Sequence, residues 1–183
     1  MAFQGDFENQ ERAQRRLAEV VPISLLLIFM LLLSMFSNFK DALLVFTNVP
    51  FAIVGGIMAL FVTNTNFSIA AGIGFIALFG ICIQDGIILI TKFKENLAHI
   101  RGEDSLYNSI KLGVHERIRP VMMTALMAAI GLLPAALSHG IGSESSRPLA
   151  RVVIGGILSA MVFSLWVFPL IFGWAYRNFH RHK

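Results

Sequence analysis

Five long apolar runs, parted by short polar stretches, organise this chain. They cover residues 20–36, 42–62, 69–91, 121–137 and 152–174. Each meets the ~17–25 residues that a helix needs to cross a bilayer. Strands do not compete, because the runs are too long and too uniformly apolar. Turn-forming residues lie between them: Ser37-Asn38-Phe39-Lys40-Asp41, then Thr63-Asn64-Thr65-Asn66, then Ser138-His139-Gly140, while Arg119-Pro120 opens the fourth run. The pattern predicts an all-α membrane protein with five transmembrane helices in a bundle over 20–176. An amphipathic connecting helix is expected over 1–19, and a tail over 177–183. The loop 92–119 is expected to hold a short interfacial helix, capped by Asp104 or Ser105 and running to about Glu116. Leu106, Ile110 and Val114 would share one of its faces. Pro50, Pro134 and Pro169 fall inside or near the ends of runs, where membrane helices tolerate them as kinks.

Charge then orients the bundle. Five crossings put the termini on opposite sides. One side collects Lys40, the six basic residues of the loop 92–119 and three in the tail, ten in all; the other collects five, namely Arg12, Arg15, Arg16, Arg147 and Arg151. The positive-inside rule predicts a cytoplasmic carboxyl terminus. The first nineteen residues lack the apolar core of a cleavable signal. Three arginines on the translocated side oppose export of a free amino terminus, which predicts a larger exported domain upstream.

Composition narrows the class. Hydrophobic residues make up 56% and charged ones 14% of the 183, against about 25% charged in soluble domains. Mean hydropathy is +0.70. The net charge of +4 is spread over loops without interleaved aromatics, which argues against nucleic acid and leaves membrane lipid as the expected surroundings. A single cysteine, Cys82, excludes an internal disulfide. No P-loop, zinc spacing or nucleophile elbow is present, so neither an enzyme nor a cofactor is expected.

Candidate chemistry centres on Asp85, in the middle of the third run. A charged side chain at that depth costs ~2.5–3.5 kcal/mol, and such groups mark ion or proton paths. Asp85 is a candidate for such a path; the competing reading is a packing residue bonded to a neighbouring helix. Arg117 and Arg119, before the fourth run, read as orienting charges that snorkel to the interface. Gly55, Gly56, Gly155 and Gly156 read as helix-packing positions, since Ala52 with Gly56 and Gly155 with Ser159 have small-xxx-small spacing. Scattered methionines and the His180-Arg181-His182 tail offer soft ligands, but lipid-facing packing and a polar end explain them as well.

Five motifs in order carry a resemblance. They are Gly5-Asp6-Phe7-Glu8-Asn9-Gln10-Glu11-Arg12-Ala13; Asp41-Ala42-Leu43-Leu44-Val45 with Asn48-Val49-Pro50-Phe51-Ala52-Ile53-Val54-Gly55-Gly56; Gly74-Phe75-Ile76-Ala77-Leu78-Phe79-Gly80 with Gln84-Asp85-Gly86; Arg117-Ile118-Arg119-Pro120-Val121-Met122-Met123-Thr124-Ala125-Leu126; and Arg147-Pro148-Leu149-Ala150-Arg151-Val152-Val153-Ile154-Gly155-Gly156. Together they resemble the carboxyl-terminal transmembrane part of resistance-nodulation-division efflux permeases, in the form of the heavy-metal branch. The resemblance implies a proton-driven inner-membrane antiporter, a homotrimer working with a periplasmic adaptor and an outer-membrane channel. It implies that this chain supplies about five of twelve helices and needs the remaining half of the permease. It places Gln84 and Asp85 at relay positions of the tenth family helix, where the drug branch has lysine and asparagine. It also matches Thr124 to a relay threonine, against the alternative of a local bond to its own helix. A non-transporting remnant, or a small membrane protein that modulates an intact pump, is the alternative function.

Overall fold

The computed structural model describes residues 2–36, 38–99, 105–140 and 142–180. Among them six α-helices follow one another: α1 (Ala2–Phe36), α2 (Phe39–Phe46), α3 (Asn48–Val62), α4 (Ile69–His99), α5 (Ser105–Leu137) and α6 (Ser143–His180). Five helical stretches are long and apolar enough to span a membrane, with α2 and α3 together forming the second.

The second span is interrupted at Thr47. Pro50 is the cause: it has no N–H to donate, and its ring crowds the carbonyl four residues earlier, that of Phe46. The Thr47 hydroxyl donates to the Leu43 carbonyl at 2.9 Å, closing the end of α2. The interruption leaves Asn48 at the head of α3, fully buried.

Two expected boundaries dissolve. No break separates the polar first nineteen residues from the first apolar run; α1 is one helix of 35 residues. Nor does Arg119-Pro120 start a new helix. Instead of a separate interfacial helix, α5 continues through Pro120 for 33 residues. The reason is packing beyond the apolar runs. α4 extends past Thr91 to His99, and Gly113 of α5 sits so close to it that a Cβ there would lie 2.5 Å from Phe93 Cδ1. Asn96 and Ser109 are buried nearby on the two helices, and Leu106, Ile110 and Val114 pack against the core. The two helix extensions thus cover each other. Asp104, the other expected cap, and residues 181–183 of the tail lie outside the described residues. α6 begins nine residues before the fifth apolar run, after Gly142, whose φ of +89° favours glycine.

The core lies between α3, α4 and α6. Phe93, Phe168, Phe172 and Tyr176 form a ladder of rings between α4 and α6, with centroids 6.3, 5.0 and 4.3 Å apart. α1 and α5 are peripheral. Only 6% of the apolar window of α1 and 17% of that of α5 is buried, against 50% for α4.

Candidate functional site

Polar side chains gather at three levels of the bundle. The central one is built around Gly86 of α4. A Cβ there would lie 2.5 Å from Asn48 Nδ2 and 3.0 Å from Val45 Cγ1, so the α2–α3 interruption packs directly on the α4 backbone. Asn48 Nδ2 has no hydrogen-bond partner, and its Oδ1 receives a long 3.4 Å contact from the Ser164 hydroxyl of α6. An unpaired buried amide costs ~1–3 kcal/mol.

Asp85 adjoins this cluster but turns away from it. The inner face of α4 is Leu78, Phe79, Cys82, Ile83, Gly86 and Leu89. Ala77, Gly80, Ile81, Gln84 and Thr91 form the exposed stripe, with Asp85 half-buried at its margin. Among the described residues the Asp85 carboxylate has no hydrogen bond or ion pair. Thr124 is exposed on α5, and its hydroxyl donates to the carbonyls of Pro120 at 3.1 Å and Val121 at 3.0 Å. No hydrogen bond joins Asp85, Gln84 and Thr124 among the described residues. Arg117 is half-exposed and Arg119 exposed beyond them on α5.

The glycine pairs mark the closest helix approach. A Cβ on Gly55 would meet Ser159 Cβ at 2.2 Å and the Gly155 carbonyl at 2.6 Å. One on Gly155 would meet Ala59 Cβ at 2.3 Å. The Ser159 hydroxyl donates to the Phe51 carbonyl at 2.9 Å across the same crossing. Gly56 faces Phe75 and Val152, and Gly156 faces Leu78.

At one end of the bundle, Asp41 in the first turn of α2 is 1% exposed. Lys94 Nζ donates to its Oδ2 at 2.7 Å and the Tyr176 hydroxyl to its Oδ1 at 2.6 Å. Three helices are tied through one carboxylate whose oxygens are both satisfied, the condition under which a buried charge is tolerated. The helix N-terminus adds favourable field. Sequence reasoning treated Asp41 as a turn residue and Lys94 as an orienting charge. The available signal was a carboxylate heading an apolar run, where a solvated turn has no need of one.

At the opposite end, two arginines of α6 hold helix ends. Arg147 donates through Nε to the Ser138 carbonyl at 2.7 Å, and again through Nη2. Arg151 Nε donates to the Ala136 carbonyl at 3.2 Å, and its Nη1 to the Thr63 carbonyl at 3.4 Å and to the Thr65 hydroxyl. Cations here satisfy orphan carbonyls at the carboxyl ends of α3 and α5 and offset their dipoles.

The pattern of the AcrB/AcrD/AcrF family matches residues 1–175. The chain belongs to that family. It is 46% identical over 179 residues to the cobalt-zinc-cadmium resistance protein CzcA of Cupriavidus metallidurans, covering 97% of this chain and 16% of that protein. It is 35% identical over 191 residues to the cation efflux system protein CusA of Escherichia coli K12, covering 18% of it. A crystal structure of a heavy metal efflux pump superposes with a TM-score of 0.79 at 42% identity, covering 91% of this chain and 16% of that one. The chain therefore spans about a sixth of the length of such family members. Its five spans share the fold of a segment of a solved pump.

Proposed function

We propose that this chain is the carboxyl-terminal membrane portion of a proton-driven heavy-metal efflux permease. The carrying observation is the match of nearly the whole chain, at 46% identity, to a cobalt-zinc-cadmium resistance protein. The reading places it in the bacterial inner membrane with its carboxyl terminus in the cytoplasm. Its partners are the remaining half of the permease, two further copies in a trimer, a periplasmic adaptor and an outer-membrane channel.

Within that assembly Asp85 takes and releases the proton, Gln84 positions it, and Thr124 orders water on the neighbouring helix. Support comes from the setting of Asp85: a carboxylate deep in an apolar helix, without a partner among the described residues, on the margin of an exposed stripe. Helices of the remaining half would cover that stripe and complete the relay. The Asp41–Lys94–Tyr176 group anchors the spans, while the glycine crossing of α3 and α6 keeps them close.

Metal resistance in a sensitised strain tests the reading. The strain carries this chain with and without the rest of the permease, each with Asp85 or Asp85→Asn, and is challenged with cobalt, zinc and cadmium salts. Resistance that needs both parts and collapses with Asp85→Asn is the expected result. Resistance indifferent to that change removes Asp85 from the relay. No resistance in any combination, despite membrane insertion, leaves a remnant or a modulator of another pump.

A further inference from the structure

A donor without an acceptor and an acceptor without a donor flank Gly86 of α4. The Asn48 side chain is fully buried, and its Nδ2 has no acceptor among the described residues. It lies against the bare backbone of Gly86, where a Cβ would come within 2.5 Å of that nitrogen. The residue before Gly86 is Asp85, a half-buried carboxylate that meets no donor among the described residues. Other donors in this part of the bundle are engaged. The Ser164 hydroxyl points to Asn48 Oδ1, and the hydroxyls of Thr47, Thr91 and Thr124 donate to carbonyls of their own helices. Gln84 lies on the exposed stripe. Among the described residues, no charged group of the helices packed on α4 acts on Asp85; its one titratable neighbour is Cys82, a turn earlier on the same helix.

From this juxtaposition we propose that Asn48 is the positioning residue that receives Asp85 once the carboxyl has lost its proton. The inference rests on the reading of Asp85 as the group that takes and releases that proton. Protonated, the side chain carries no charge and can stay on the margin of the apolar helix. Ionised, it needs donors, because a charge away from water is tolerated only when it is paired or hydrogen-bonded. Gly86 puts no side chain between the two residues, so rotation of Asp85 about its Cα–Cβ bond turns the carboxylate toward the amide. Asn48 Nδ2 then donates to a carboxylate oxygen, a charge-assisted bond roughly twice as strong as a neutral one. Both unpaired groups are satisfied together, and Asn48 Oδ1 keeps Ser164. The proton leaves to water or to the next group of the relay, and no covalent bond of Asn48 changes. When the proton returns, the bond weakens and the carboxyl swings back to the margin.

NMR of the full chain in nanodiscs, with nitrogen-labelled asparagine, reads the side-chain amide directly. The Asn48 signal is the one lost in Asn48→Leu or, should that variant lose helical circular dichroism, in Asn48→Ser. Raising the pH over the range in which the chain stays helical is expected to move one Asn48 amide proton downfield, as a stronger hydrogen bond does, and the other much less. The shift disappears in Asp85→Leu and survives in Ser164→Ala, with helical circular dichroism unchanged in both. An Asn48 signal that does not respond to pH overturns the proposal. So does a shift that persists in Asp85→Leu, which keeps Cys82. Loss of the shift in Ser164→Ala also overturns it, because the amide then answers to Ser164. Transport enters none of these readings. Resistance that collapses with Asp85→Asn beside a silent Asn48 keeps the relay and strikes this pairing; a shifting Asn48 beside resistance indifferent to Asp85 does the reverse.

Discussion

Asp41 and Asp85 are both carboxylates set in apolar helices, and they have opposite surroundings. Asp41 is sealed, with one oxygen on Lys94 and the other on Tyr176. Asp85 is half-buried and meets no donor among the described residues. The difference separates two uses of an expensive group. A carboxylate whose partners come from the same chain holds that chain together. One whose surroundings are left open is available to something that arrives from outside it. Asp41 heads its apolar run and Asp85 lies in the middle of one, yet the shallower carboxylate is the one that is closed off.

The contrast can be broken most strongly at Lys94. Lys94→Met leaves Asp41 charged and buried with the tyrosine alone, and should cost about 3 kcal/mol. Unfolding in mixed micelles, followed by loss of helical circular dichroism, measures it. A loss below about 0.5 kcal/mol, the size of a neutral surface change, would make the pair ornamental. Gly155→Val, which drives atoms into Ala59 and the Gly55 carbonyl, should cost about 2 kcal/mol by overpacking and loosen the α3–α6 crossing. Cross-linking between cysteines placed at Met58 and Leu158 would report the loosening directly. Arg151→Gln gives up the bonds to Ala136 and Thr63 and should cost about 1 kcal/mol, read by the same unfolding. Asp85→Asn should have the smallest effect on the isolated chain, within about 0.5 kcal/mol. In the assembled permease the same change should abolish resistance. A large stability loss from Asp85→Asn would move Asp85 into the class of Asp41.

Much of the fold was legible because the apolar runs have the length of a bilayer and the turns between them are rich in Asn, Ser and Thr. What was not legible came from contacts between distant residues. Nothing local in 105–120 says that Gly113 will be pressed against Phe93, and that contact carries α5 straight through Pro120 instead of ending it there. The α2–α3 interruption was written in Pro50, but Asn48 becomes a buried polar group only because Gly86, far along the chain, leaves room for it. The candidate site divides the same way. Asp85 and Gln84 stand out as polar letters in an apolar run. Asp41 and Lys94 look like ordinary turn and loop charges until three helices converge on them. Arg147 and Arg151, counted as orienting charges, turn out to close helix ends. The carbonyls that they cap belong to other helices, so no window of sequence displays the match.

The length of α5 has a mechanical consequence. An α-helix of 33 residues is about 50 Å long, against ~30 Å of hydrocarbon. The excess projects into water as a rigid arm, clasped to the end of α4 at Gly113 and Phe93. With the α4 clasp as fulcrum, the tip at Ser105 lies about 12 Å beyond it, so a tilt of a few degrees displaces that tip by only about 1 Å and the clasp holds the arm nearly still.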